Sequence, residues 1–103
     1  DTGLDKSSAE KILQATGDAG LEITGILNTH GHADHYGGNA TIRKAAKNLS
    51  FIYAPALEDA VIRYPILEPV YLFGTAPIAD LKGKFLMGAS SPAEPLPGPD
   101  IPF

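Results

Sequence analysis

The most constraining feature of this chain is a cluster of four possible metal ligands within six residues. His30, His32 and His35 are the three histidines of the sequence, and Asp34 lies between the last two. Neutral imidazole and carboxylate are the nitrogen and oxygen donors that zinc and similar ions bind. Four such donors this close together in the sequence are hard to explain except as a metal site, which we therefore predict there.

The surrounding sequence predicts alternating helices and strands. Apolar residues at helical spacing, and runs of β-branched or aromatic residues, predict helices at 8–16, 40–48 and 55–64 and strands at 21–28 and 51–53. Ser7 and Glu10 form a capping-box pair, Asn39 is a good N-cap, and Pro65 should end the third helix. This order indicates an α/β domain in which at least part of the sheet is parallel.

The composition changes near residue 90. Residues 1–89 contain the predicted elements, with a further short helix expected at 78–81. Five of the nine prolines lie between residues 92 and 102, which favours an extended, irregular Pro-rich tail over 90–103. We therefore expect one domain, over 1–89, followed by that tail.

The spacing of the four donors suggests two adjacent metal ions. His30 and His32 are two residues apart at the end of a predicted strand, so the alternation of a strand points both rings to one side. They can then bind one ion together. Asp34 and His35 follow where the chain turns into the next helix, and they can face a second ion.

Small and aromatic residues near the cluster have mainly structural interpretations. Gly31 and Ala33 keep the turn free of bulk, and Gly37-Gly38 permit either unusual backbone angles or close packing. Packing is favoured over substrate contact for Tyr36. It is also favoured over a role in a substrate pocket for a second aromatic set: Tyr64, Tyr71, Phe73 and Phe85.

Composition excludes several classes of function. The 103 residues carry a net charge of −4, and the eight Lys and Arg are spread along the chain, which disfavours nucleic acid or an anionic membrane as a partner. Cysteine is absent, and no apolar run is long enough to span a membrane. The expected partner is a small-molecule substrate. The sequence starts at Asp1 without an initiator Met, so we expect the true start upstream. No signal peptide is visible, and the compartment is unknown, with the cytoplasm slightly favoured.

The motif resembles that of the metallo-β-lactamase fold superfamily. The string His30-x-His32-x-Asp34-His35 follows a strand and Thr29 and precedes Gly37-Gly38-Asn39, which is similar to the metal-binding motif of that family. Asp1-Thr2-Gly3 is similar to the Asp-Thr-Gly that follows a core strand there. The resemblance covers residues 1–87. It implies an α/β fold, a partial αββα sandwich of one layer, with a mixed sheet and flanking helices.

The resemblance also implies a metal-dependent hydrolase of ester, thioester, lactone, amide or phosphodiester bonds. His30 and His32 would bind the first of two divalent metal ions, and Asp34 and His35 the second. Asp34 would also act in catalysis by orienting the attacking hydroxide. Zn²⁺ is favoured, with iron or manganese as alternatives. Within the family, two branches are disfavoured. Flavin-linked diiron oxidoreductases usually have Glu at the position of His32, and one class of mononuclear zinc lactamases has Asn at the position of His30.

The family's sites need ligands that this chain lacks. No histidine follows His35, and the candidates for a bridging aspartate are Asp80 and Asp100. We therefore expect a fragment that is inactive alone and that can self-associate through an exposed sheet. The alternative is a non-catalytic metal-binding remnant, or a truncated relative that needs the missing half.

Overall fold

The computed structural model of the protein describes residues 1–75 and 99–102. Its elements, in chain order, are α1 (Lys6–Asp18), β1 (Gly25–Leu27), α2 (Ala33–Tyr36), α3 (Asn39–Ala45), β2 (Phe51–Ala54), α4 (Glu58–Arg63), α5 (Leu67–Phe73) and β3 (Ile101–Pro102). The predicted α/β class is confirmed. The helix predicted at 78–81 lies outside the described residues. Over the described part of the chain, no helix is long and apolar enough to cross a membrane.

The three described strands form a parallel sheet in the order β1-β2-β3. Ile26 and Ile52 are register partners, and they pack with Ala9 of α1 and Ile42 of α3 in one buried cluster. Ala54, which points to the same face two residues later, packs with α2 and α4 in a second cluster. Helices therefore cover one face of the sheet.

The opposite face of the sheet carries apolar side chains with little cover among the described residues. Leu27 and Ile101, at either side of Tyr53 in the register, are 54% and 56% exposed. The rings of Phe51 and Tyr53 stack on this face with their centroids 4.4 Å apart. The sheet is thus one layer with flanking helices, as the partial-sandwich prediction requires.

Two helices begin at residues other than those predicted. Asp5, not Ser7, is the N-cap of α1, because its Oδ1 accepts the Ser8 N–H at 2.8 Å and the Ser8 hydroxyl at 3.0 Å. Gly38, not Asn39, is the N-cap of α3. The Asn39 side chain is buried in a hydrogen-bond network instead of capping its own helix.

The segment after β2 forms two helices where one was predicted. α4 begins at Glu58 instead of residue 55, because Leu57 has a φ of +78° and cannot continue a right-handed helix. α4 ends before Pro65, as predicted. α5 was not predicted. Pro69 occupies its third position, where a backbone N–H needs no helical partner, and Gly74, at φ +72°, ends it.

Residues 99–102 complete the sheet. The Asp100 carboxylate accepts the Ile52 N–H at 2.7 Å and lies 3.0 Å from Nη2 of Arg43. Arg63 donates to the carbonyl of Pro99, which is buried. The end of the predicted irregular tail therefore contributes a strand, since an edge position tolerates proline.

Candidate metal centre

The four predicted ligands lie between the end of β1 and the start of α3. His30 lies in the segment that leaves the strand, and His32 is the extended residue that precedes α2, with φ −85° and ψ 137°. α2 is a single turn that contains Asp34 and His35. The short path is possible because Gly31 and Ala33, as predicted, are buried positions with no room for bulk.

The structure brings the three histidine rings into contact. The centroid of His30 lies 4.7 Å from that of His32 and 4.0 Å from that of His35. His35 Nε2 lies 3.6 Å from Asp34 Oδ2, and two tetrahedral ligands, each about 2.1 Å from zinc, are about 3.4 Å apart. Within residues 1–75 and 99–102, however, no three His, Asp or Glu side chains are arranged to hold an ion.

Each histidine ring has one nitrogen beside an oxygen atom of another side chain. The pairs are His30 Nδ1 with Thr29 Oγ1 at 2.9 Å, His35 Nδ1 with Asp1 Oδ2 at 2.8 Å, and His32 Nε2 with Glu68 Oε1 at 3.1 Å. Histidine ligands commonly use the second ring nitrogen in this way, which fixes the tautomer and the ring orientation. The chemistry of this donor set therefore fits a divalent metal.

Asp1 ties the motif to the strand before it. Its carboxylate accepts the Thr29 N–H at 2.8 Å as well as facing His35, and its main-chain nitrogen donates to the Leu27 carbonyl at 2.6 Å. No contact was predicted for Asp1 beyond its place in the Asp-Thr-Gly string. Because Asp1 and His35 are far apart in the sequence, no local sequence pattern predicts their contact.

A buried polar network fixes the backbone of the turn. Thr2, Asn28 and Asn39 are at most 1% exposed. Thr2 donates to Asn39 Oδ1 at 2.8 Å, and Asn39 Nδ2 donates to Asn28 Oδ1 at 2.7 Å. Asn28 Nδ2 and the Thr2 N–H both donate to the carbonyl of His35, at 3.2 and 2.8 Å. The network holds the second half of the motif against β1 and α3.

Gly37 and Gly38 serve close packing and not an unusual backbone angle. Their φ values are −58° and −89°, which any residue can adopt. A Cβ on Gly37 would overlap the carbonyl of Leu4, and a Cβ on Gly38 would overlap the carbonyl of Thr2. Of the two roles considered for this pair, the structure supports the close approach of the chain segment before α1.

Two glutamates from later helices reach the motif. Glu58 of α4 accepts the Gly31 N–H at 2.6 Å. The Glu68 side chain of α5 is 13% exposed. Burial raises its pKa; the nearby His32 opposes this shift, and Asp34 and Glu58 add to it. Neither glutamate was predicted at the site, although Glu68 is the one charged residue between 64 and 79, which is a usable signal.

Comparison of the sequence with models of protein families identifies the family of this chain. The model of the metallo-beta-lactamase superfamily matches residues 1–102. The chain belongs to this superfamily. The resemblance on which the expected fold was based is thereby confirmed over nearly the whole chain.

Curated relatives of this superfamily member are named hydroxyacylglutathione hydrolase. The protein of Rhodospirillum rubrum is 52% identical over 42 residues, which are 41% of this chain and 16% of that protein. The protein of Albidiferax ferrireducens is 36% identical over 67 residues, which are 65% of this chain and 23% of that protein. The chain thus spans less than a quarter of the length of these relatives. No solved structure is a significant match.

The aromatic predictions for this superfamily member are confirmed in one case and wrong in two. Tyr36 is fully buried and packs with α4, and burial, with a contribution from Glu68, raises its pKa. Tyr64 and Tyr71 are instead 61% and 88% exposed; Tyr64 follows the end of α4 at Arg63, and Tyr71 lies on α5. Phe85 and the side chain of Phe73 lie outside the described part of the chain.

The helices α4 and α5 border an open pocket of about 630 Å³ beside His32. Its lining is mainly apolar and includes Leu57, Val61, Val70 and Tyr71. His32 and the two glutamates lie at its polar end. Pockets of this size and character hold small molecules.

The candidates for a bridging aspartate receive no support. The Asp100 carboxylate is engaged by Arg43 and by the Ile52 N–H beside the middle of β2. This engagement argues against a role as a metal bridge. Asp80 lies outside the described residues.

Proposed function

We propose that His30, His32, Asp34 and His35 are metal ligands of a metal-dependent hydrolase. The bond cleaved is an ester, thioester, lactone or amide. A thioester is favoured, since hydroxyacylglutathione, named in the relatives, is one. The main support for this proposal is the arrangement of the three histidine rings. Each ring has one nitrogen beside an oxygen atom of another side chain, which leaves the other nitrogen for metal coordination.

The roles of the residues follow from their contacts. His30 Nε2 and His32 Nδ1 are the nitrogens left for the first of two divalent ions, with zinc preferred over iron or manganese. Asp34 Oδ2 and His35 Nε2 lie on the same side of α2, 3.6 Å apart, and serve the second ion. When bound, such ions activate water near neutral pH and polarise the carbonyl oxygen of the substrate.

Asp34 is the proposed catalytic residue of this set. Its side chain is 53% exposed, so water and substrate can reach the carboxylate. A carboxylate in that position can accept a proton from an attacking water molecule. The apolar pocket beside His32 can receive the acyl part of a small substrate, because its lining offers few polar groups.

Metal analysis and turnover test this proposal together. If residues 1–103 form an intact catalytic domain, the purified protein, dialysed after loading with zinc, manganese or iron, should retain about two equivalents, and a panel of chromogenic thioester, lactone and β-lactam substrates should show chelator-sensitive turnover. Asp34→Asn should lose metal and turnover. Asp18→Asn removes a comparable exposed carboxylate at the end of α1 and should change neither.

A second candidate function is metal binding without catalysis. It is favoured by one observation: within the described residues no three donors converge on a point. Residues 1–103 supply two ligands for each ion, so we expect this chain alone to bind metal weakly and to lack turnover. Metal-dependent hydrolysis by residues 1–103 would contradict that expectation, and the absence of any metal binding would contradict both candidates.

A further inference from the structure

We propose that Glu68 is a positioning residue for this metal centre: it holds the His32 ring through Nε2 and so keeps Nδ1 unprotonated for coordination. The inference rests on the proposed function. Glu68 Oε1 lies 3.1 Å from His32 Nε2, within hydrogen-bond distance. A carboxylate that faces one ring nitrogen places the proton there and leaves the other nitrogen with a free lone pair.

The His32 ring needs such a partner more than the other two rings do. Its side chain is 56% exposed, whereas that of His35 is 33% exposed. His30 and His35 are held through Nδ1 by residues close to the strand end, Thr29 and Asp1. For His32 the contact is reversed: the held nitrogen is Nε2, and the partner comes from α5.

Glu68 is the fixed member of the pair. Its side chain is 13% exposed, and Oε2 is buried with no hydrogen-bond partner among the described residues. The next residue, Pro69, is buried and restricts the backbone of the first turn of α5. The exposed imidazole is therefore oriented by a carboxylate whose own position is set by packing.

The placement of Glu68 is unfavourable for folding alone. A buried carboxylate oxygen without a hydrogen-bond partner among the described residues is destabilising. Violations of this kind in natural proteins concentrate at functional sites. Glu58, by contrast, binds the Gly31 N–H and so acts on the backbone of the motif.

The test compares Glu68→Ala and Glu68→Gln with the wild-type protein in two measurements. Long-range ¹H–¹⁵N NMR of the metal-free protein reports the tautomer of each ring; we expect Nε2–H for His32, and a mixture in Glu68→Ala. Chelator competition reports the affinity for zinc. Loss of an outer partner typically weakens it by about 10–100-fold, which we expect for Glu68→Ala. The zinc affinity of Glu68→Gln should lie between those of the wild type and Glu68→Ala, because the Gln amide oxygen can still accept the hydrogen bond from His32 Nε2–H.

Glu10→Gln is the matched control, since Glu10 is 57% exposed on α1 and should change neither measurement. Melting curves establish that each variant is folded. If Glu68→Ala does not fold, Glu68→Gln decides: zinc affinity equal to that of the wild type overturns the role of Glu68. Wild-type protein that binds no zinc overturns the proposed function, whereas wild-type binding with an unchanged affinity and tautomer in Glu68→Ala overturns only this inference.

Discussion

Replacing Gly37 by alanine tests whether close packing at the end of α2 builds the site. The added Cβ would overlap the Leu4 carbonyl and would lie 2.8 Å from the Ala33 carbonyl oxygen. Both obstacles are backbone atoms, which cannot rotate away as a flexible side chain can. Overpacking typically costs 1–3 kcal/mol, and we expect the upper end, about 3 kcal/mol.

Gly17→Ala is the matched control, because a Cβ there meets nothing within 4 Å and Gly17 is helical. That change should stabilise the protein by up to about 1 kcal/mol. For a domain of this size, a loss of about 3 kcal/mol lowers the melting temperature by about 10–20 °C. Urea and thermal unfolding of both variants measure the difference.

The same change should also weaken zinc binding. Displacing Leu4 moves the segment that contains Thr2, whose N–H donates to the His35 carbonyl at 2.8 Å, and Asp1, which faces the His35 ring. A Gly37→Ala variant within 0.5 kcal/mol of the wild type, with unchanged zinc affinity, would refute the reasoning. It would mean that the segment can move away without disturbing the motif.

Smaller perturbations test other contacts. Thr2→Val removes the donor to Asn39 and should lower the free energy of unfolding by about 1 kcal/mol; no change in urea unfolding would count against the network. The Ser8 N–H and hydroxyl hold the pKa of Asp5 below its usual value, so its stabilisation is present above about pH 4 and is lost as the pH falls further. The destabilisation by Asp5→Ala should therefore shrink on acidification in thermal melts, and a constant difference would contradict this. Zinc binding should weaken on acidification, because protons compete with zinc for the ring nitrogens; equal affinity at pH 7.5 and 5 would argue against the histidine ligands.

The sequence predicted the parts of the fold whose causes are local. The periodicity around Ile12 and Ile42 located α1 and α3, and the β-branched run around Ile26 located β1. The start of each of these two helices was predicted at the wrong capping residue, for two different reasons. Asp5 caps α1 ahead of Ser7, and Asn39 is occupied by side chains of distant segments.

The predicted ligands form a compact cluster because their spacing is local, but their partners could not be predicted. Asp1 is 34 positions from His35 and Glu68 is 36 from His32 in the chain, so no periodic pattern connects them. α5 was missed because aromatic residues and turn formers are mixed over residues 63–87, although a proline in the first turn of a helix is tolerated. Gly74 after Phe73 was the available end signal.

The contacts of Asp100 have a consequence for the order in which the protein assembles during synthesis. The turn that carries the histidines is held by residues up to Asn39, together with α4 and α5, all made before residue 75. Among the described residues, those that cover the edge of β2 opposite β1 are 99–102, because Asp100 binds the Ile52 N–H across 48 positions. A nascent chain should therefore present a formed histidine turn beside an open strand edge, and that interval is when pairing with a second chain competes with β3.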